Sequence, residues 1–185
     1  MPVERAPIAG IVLAGGLSSR MGRDKALLPW HGQPLLLHMR DLLVAAGADP
    51  VRISGDYPAY GGLADAGPRI GPLGGLHTAV SHLQDGPAWV VPVDMPRLTV
   101  ALLRGLRDAS RGACTIYEDQ PLPMHLLIDD RCRRLLAGLL DDPAGPRSLK
   151  ALQQRLGTRA VPLPTAAGPA LANCNTPAEW KEITG

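Results

Sequence analysis

Apolar residues in this chain come in short blocks, and the blocks set the predicted elements. Ile8-Ala9-Gly10-Ile11-Val12-Leu13-Ala14 is the first unbroken run. Continuous rather than alternating apolar character predicts a strand covered on both faces, as in a parallel sheet. The run stops at Gly15-Gly16, and a polar loop continues to Lys25. Pro34 opens a predicted helix that ends before Gly47, the usual Pro-first, Gly-last order. Leu36, Met39, Leu43 and Ala46 recur at helical spacing and face the sheet. Val51-Arg52-Ile53-Ser54 reads as a short strand, followed by a Gly/Pro-rich loop from Gly55 to Gly75 and a helix over Leu76 to Leu83. Ala88 to Asp94 is a second buried strand, and it ends on a carboxylate. Thr99 caps a predicted helix reaching about Asp108, and Ala113 to Tyr117 is a strand. Helices over Asp129–Leu140 and Arg147–Leu156, a late strand over Arg159–Leu163 and a short helix begun by Thr176-Pro177-Ala178-Glu179 complete the reading. Strands alternating with helices predict the α/β class, a three-layer α/β/α domain with a mostly parallel central sheet. No repeat, heptad run or linker divides the chain, so residues 1–185 read as a single domain.

Composition narrows the function classes. A chain of 185 residues is the size of one domain and can bury roughly 70% of its unfolded surface. Hydrophobic residues are 45% and charged residues 19%, which excludes a disordered chain. The net charge of +2 argues against a strongly cationic nucleic-acid coat and against an acidic tail. Cys114, Cys132 and Cys174 are odd in number and widely spaced, which excludes a disulfide scaffold and fits a reducing compartment. No signal peptide precedes Gly15-Gly16 and no apolar run approaches the roughly 20 residues that span a bilayer. The expectation is a soluble cytoplasmic protein with neither nucleic-acid nor membrane partners.

In an open α/β sheet, ligands bind beyond the carboxyl ends of strands. Two such ends stand out, Leu13-Ala14-Gly15-Gly16 and Val93-Asp94. The first leads into a loop carrying Arg20, Arg23 and Lys25 against one acid, Asp24. Glycine lets backbone N–H groups approach an anion, and fixed cations neutralise it. A phosphate cradle and an ordinary turn with solvated charges both satisfy that composition. Asp94 suits Mg²⁺, a hard cation that takes one or two carboxylates and completes its shell with phosphate and water oxygens; a turn or capping role is the plainer alternative. Asp65 sits in a Gly/Pro-rich loop where turn chemistry alone would place it. Several motifs are missing. Gly16 and Gly22 are too far apart for a P-loop, and the turn lacks the dinucleotide G-x-G-x-x-G pattern. No Ser lies in G-x-S-x-G. His77 and His82 lack the spacing of a zinc site. Trp30, Trp89 and Trp180 are too scattered to propose a base-stacking platform.

The run from Leu13 to Leu28 nevertheless resembles a known signature, L-A-G-G-x-S-x-R-M-G-x-D-K-x-L-L, of nucleotidyltransferases with a Rossmann-like, nucleotide-diphospho-sugar-transferase-type fold. Three further segments make the chain similar to the molybdenum cofactor guanylyltransferases, the MobA family: Gly71-Pro72-Leu73-Gly74-Gly75, Pro92-Val93-Asp94-Met95-Pro96, and Asn173-Cys174-Asn175-Thr176-Pro177-Ala178-Glu179. The resemblance implies transfer of GMP from GTP to the terminal phosphate of molybdopterin, with release of pyrophosphate. It also implies roles. Leu13, Ala14, Gly15 and Gly16 would meet the nucleotide through the backbone, with Lys25 and Arg20 on the phosphates. Ser54 and Asp65 would be nucleotide contacts, Asp94 would hold Mg²⁺ and the phosphates, and Asn173 and Asn175 would face the pterin substrate. Many members carry Asn where this chain has Ser54, and Ser lacks the paired donor and acceptor of an amide. Molybdoenzymes or their chaperones would receive the product. Three alternatives share features: a cytidylyltransferase acting on molybdopterin or on a sugar or polyol phosphate, a nucleotide-binding module without turnover, and an NAD-linked oxidoreductase, which the absent fingerprint disfavours.

Overall fold

In the computed structural model, residues 7–15, 24–65, 71–142 and 144–184 are described. The chain starts with β1 (Ile8–Leu13), then a two-residue-per-arm hairpin of β2 (Pro29–Trp30) and β3 (Gln33–Pro34), helix α1 (Leu35–Ala46) and strand β4 (Ala48–Ser54). The short strand β5 (Gly62–Leu63), helix α2 (Gly71–Ser81), strand β6 (Gly86–Pro92), helix α3 (Val100–Ala109), and strands β7 (Cys114–Tyr117) and β8 (Met124–Ile128) follow. Helices α4 (Asp130–Asp141) and α5 (Leu149–Leu156), strand β9 (Arg159–Val161) and helix α6 (Pro177–Thr184) complete the order. Among the described residues the main sheet has seven strands in the order β5-β4-β1-β6-β8-β7-β9. All pairings are parallel except those of β8, which runs against β6 and β7.

Each face of the sheet carries its own core. Val12, Trp89 and Val91 point to one face, where Leu36, Met39 and Leu43 of α1 and Leu103 and Leu106 of α3 cover them. Ile11, Leu13, Ala88 and Val90 point to the other, under Leu73 and Leu76 of α2, Leu136 of α4 and Leu152 of α5. This is the three-layer α/β/α arrangement, and it explains the unbroken apolar runs: strands buried on both sides need no polar alternation. Side-chain caps start the helices where the sequence places them. Thr99 accepts from Leu102 N, Asp129 from Cys132 N and Ser148 from Ala151 N. Among the described residues no helix is long and apolar enough to cross a membrane.

Three expectations need correction. Helix α2 begins at Gly71, not Leu76, because Gly71 to Gly75 form its opening turns rather than a loop. Pro34 is the residue before α1 and pairs with Pro29 in the hairpin instead of opening the helix. Strand β8 was not anticipated. Its run is short, is preceded by Pro121 and Pro123, and contains His125, so it lacks the signature of a buried strand.

That histidine lies mid-sheet. Trp89, His125 and Thr115 are lateral neighbours on β6, β8 and β7. The Trp89 indole donates to Leu103 O at 2.7 Å, and the Arg107 guanidinium lies 5.5 Å from the Trp89 ring. His125 is 6% exposed, and Nδ1 has no partner among the described residues. Burial, with the nearby Arg107 charge, pushes its pKa down to about 4 from an ordinary 6.5. The unfolded chain therefore takes up this proton first, and stability falls as pH drops below the unfolded value. Between about pH 6.5 and about pH 4 the loss attributable to His125 reaches roughly 3 kcal/mol. Urea titrations across that window should show it, and His125→Phe should flatten the slope.

Candidate active site

The centre of the sheet builds the site. Strand β1 lies between β4 and β6, with Leu13 in register with both Ser54 and Pro92. The chain leaves β1 toward β4 and later returns on the opposite side as β6. Such a reversal opens a crevice at the strand ends, where ligands bind in this architecture. Backbone hydrogen bonds pin the exit of β1 on both flanks. Ala14 N and Gly15 N both donate to Ser54 O at 2.9 Å, and Val93 N donates to Leu13 O at 3.1 Å.

Asp94 follows two residues beyond β6, so it belongs to the loop and not to the strand. Its carbonyl accepts from Cys174 N at 2.9 Å and from the Cys174 thiol at 3.4 Å. Lys25 begins a short 3-10 turn, Lys25–Leu27, which Asp24 caps by accepting from Ala26 N at 3.0 Å. The Lys25 ammonium donates to Asn175 Oδ1 at 2.6 Å and lies 3.6 Å from Asp94 Oδ2. Asn175 is placed by a capping box at the start of α6. The Glu179 carboxylate accepts from Asn175 N at 2.6 Å and Thr176 N at 2.9 Å, while Thr176 Oγ1 accepts from Glu179 N at 3.2 Å. Those backbone donors hold the Glu179 carboxyl below its ordinary range. Packing of Trp180 on Trp30, with ring centroids 5.8 Å apart, fixes α6 against the hairpin.

A second corner lies across β1. Helix α2 packs onto the end of β4 so closely that a β-carbon on Gly75 would overlap Ser54 Oγ and lie 3.6 Å from Asp65 Oδ1. Only glycine permits that approach. Asp65 Oδ2 is 3.8 Å from the place a β-carbon on Gly15 would take. Ser54 Oγ and Asp65 Oδ1 are both buried without a hydrogen-bond partner among the described residues. Unsatisfied buried polar atoms are rare in folded proteins, and at a strand-end crevice they are available to a ligand's polar edge.

Of the predicted site residues, Leu13, Ala14, Gly15, Ser54, Asp65, Lys25, Asp94 and Asn175 therefore gather around the carboxyl ends of β4, β1 and β6. Asn173 is exposed beside buried Cys174. Gly16 and Arg20 lie outside the described residues. Sequence reasoning missed three participants. Cys174 stood out only as one of three widely spaced thiols, yet it holds the Asp94 carbonyl, and burial beside Asp94 pushes its thiol up to about 11. Asp24 read as a lone acid among cations, and Tyr57, whose hydroxyl reaches Asp24, read as part of a loop. The only local signal for Tyr57 is its placement between Gly55 and Gly61-Gly62.

An open, mostly parallel sheet with a cation, an acid and pinned backbone N–H groups at its central crevice defines a nucleotidyltransferase-type α/β protein. The chain belongs to the MobA-like NTP transferase family, whose domain model matches residues 10–159. It is 48% identical over 184 residues, 99% of this chain and 97% of the other, to a molybdenum cofactor guanylyltransferase of Xanthomonas euvesicatoria pv. vesicatoria. Two solved structures share the fold. A nucleotidyl transferase from Methanothermobacter thermautotroptrophicus superposes with a TM-score of 0.74 at 19% identity, covering 97% of this chain and 96% of that one. Molybdopterin-guanine dinucleotide biosynthesis protein A from Archaeoglobus fulgidus gives 0.73 at 18% identity, covering 95% and 96%. The residues that bring Asn175 to Lys25 lie beyond the stretch the domain model matches.

Burial dominates the electrostatics of the crevice acids. Burial raises the Asp94 pKa, and Lys25 offsets the shift only in part. Asp65 is raised by burial as well. A carboxyl held above its ordinary range opposes folding while it is ionised, and the opposition fades as pH falls through the carboxylate range. Asp94→Asn should therefore raise the thermal midpoint of the ligand-free protein at about pH 7, with the gain shrinking as pH falls through the raised value toward the ordinary carboxylate value and gone below about pH 4. Scanning calorimetry at both pH values checks this.

Proposed function

We propose that this chain transfers the GMP unit of GTP to the terminal phosphate of molybdopterin and releases pyrophosphate. The observation that carries the reading is the contact of one ammonium, Lys25, with both Asp94 and Asn175. It brings the acid at the end of the β6 segment and the asparagine of the C-terminal N-x-N-T-P sequence to a single point. Support comes also from the full-length similarity to the Xanthomonas guanylyltransferase.

The division of labour belongs to the same proposal. The acceptor phosphate is already anionic, so its oxygen attacks the α-phosphorus without a strong general base. A new P–O bond forms, the bond between the α-phosphorus and the bridging oxygen to the β-phosphate breaks, and pyrophosphate leaves with that electron pair. What the protein supplies is in-line placement and neutralisation of charge building at the α-phosphate. The backbone of Leu13, Ala14, Gly15 and Gly16 approaches the nucleotide, and Lys25 and Arg20 neutralise its phosphates. Asp65 accepts from the donor edge of guanine, N1–H and N2–H₂, while Ser54 supplies one hydroxyl. Asn173 and Asn175 face the pterin substrate.

Asp94 fits Mg²⁺. It is a hard oxygen donor, half-buried, and its charge is only partly offset by Lys25. Mg²⁺ takes one or two carboxylates and would fill its remaining positions with phosphate and water oxygens. Bound there, Mg²⁺ would add charge neutralisation at the phosphates. We further assign the protein to the cytoplasm, as a single domain that hands its product to molybdoenzymes or their chaperones. The free, buried state of Cys114, Cys132 and Cys174 supports a reducing compartment.

Pyrophosphate release with molybdopterin and Mg²⁺ tests the reaction, with GTP and CTP run side by side. Release with GTP is expected. Preference for CTP by tenfold or more, about 1.4 kcal/mol, overturns the guanylyl assignment. Lys25→Ala should cost about 2–4 kcal/mol in kcat/KM, as loss of one preorganised donor does. Asp94→Ala should abolish Mg²⁺-dependent turnover with unchanged circular dichroism.

A further inference from the structure

Tyr57 is a half-buried aromatic residue beside the crevice, and none of the roles above uses it. It lies in the turn between β4 and β5. Tyr57 N donates to Gly55 O at 2.9 Å, and Tyr60 N and Gly62 N both donate to Tyr57 O at 2.9 Å. Two glycines make room for it. A β-carbon on Gly55, where φ is +133°, would lie 2.6 Å from Tyr57 Cε2. A β-carbon on Gly62 would lie 2.6 Å from Gly55 O and 2.9 Å from Tyr57 Cβ. Any other side chain would press on the ring at Gly55 and on the backbone of the turn at Gly62.

The hydroxyl so placed is 2.9 Å from both carboxylate oxygens of Asp24 and 3.3 Å from Ala14 O. These two partners bracket residues 15–23 in sequence. Ala14 ends the β1 exit, whose N–H groups are pinned to Ser54, and Asp24 immediately precedes Lys25. We propose that Tyr57 is a positioning residue for the nucleotide site, whose one hydroxyl proton, shared between the Asp24 carboxylate and Ala14 O, ties the exit of β1 to the residue before Lys25 and so sets the spacing between the strand end and the ammonium.

A second consequence follows from charge. The Asp24 carboxylate is one residue from Lys25, so left loose it would compete with nucleotide phosphates for that cation. The Tyr57 hydroxyl and Ala26 N–H hold it against the protein instead. Burial and the adjacent Asp24 and Asp56 charges keep the phenol protonated far above the ordinary tyrosine range, so the donor persists at any pH at which the protein works.

The inference rests on the reading of this crevice as a GTP site, and the test separates the two. Tyr57→Phe keeps the ring and removes the hydroxyl. We expect the Kd and KM for GTP to rise about tenfold, the loss expected of one hydrogen bond to a charged group, with the KM for molybdopterin unchanged. A purely structural tyrosine would lower the thermal midpoint without splitting the two KM values. In the ligand-free protein, exchange of the Ala26 amide, which donates to Asp24 Oδ1, should quicken at least about fivefold, because Asp24 loses its second anchor. Asp24→Asn, combined with Tyr57→Phe in a double-mutant cycle, gives an independent check. If the two act through one bond, the double variant should bind GTP no more weakly than the worse single variant. Unchanged GTP affinity with unchanged Ala26 exchange overturns the proposal, and so do losses that simply multiply in the double variant. If the wild type binds no GTP, the proposed function fails, and Ala26 exchange alone then decides whether the tether exists.

Discussion

Parallel pairing of β1 between β4 and β6 is the constraint on which the rest of the molecule depends. It is a backbone ladder, closed on both faces by apolar side chains, and it leaves three strand ends flush at one edge. At that edge Leu13, Ala14 and Gly15 have their backbone groups committed on two sides, to Ser54 and to Val93. A ligand arriving there meets groups that are already ordered. Ordering has been achieved by the core, so little conformational entropy remains to be lost on binding.

The acids show the tension this creates. Asp94 and Asp65 are held above their ordinary pKa range by burial. Ser54 Oγ and Asp65 Oδ1 lack partners among the described residues. A fold selected for stability alone would pair or replace these groups. Their presence in one crevice, beside a half-buried lysine already engaged by Asn175, fits the nucleotide site proposed above.

The C-terminal segment makes the arrangement specific. Cys174 holds the carbonyl of Asp94, Asn175 meets Lys25, and Glu179 closes a capping box that holds Asn175 in place. Trp180 against Trp30 keeps the segment docked. Residues at opposite ends of the chain thus form one polar cluster. Its geometry depends on α6 being seated, which couples the integrity of the chain's end to the chemistry at its beginning.

Much of this was legible from local pattern. The runs at Ile8–Ala14 and Ala88–Asp94 pointed to strands buried on both faces, although the second strand ends at Pro92, and Thr99, Asp129 and Thr176 marked helix starts. The motif around Gly15, Lys25 and Asp94 pointed to phosphate chemistry. Local pattern failed where the decisive partner was distant. The opening turns of α2 looked like a glycine loop because their reason, close packing of Gly75 on Ser54, lies across the sheet. Strand β8 is a strand because β6 and β7 flank it, and neither is its neighbour in sequence. Tyr57 became interpretable only once Asp24 and Ala14 were both within reach of its hydroxyl. The amino-acid sequence by itself determined element types, caps and the residues competent for the chemistry, since these depend on periodicity and side-chain type over a few residues. The tertiary structure alone decided which of them meet, as Lys25 does with Asn175 across 150 positions, because long-range contacts are set by strand order and packing rather than by any local preference.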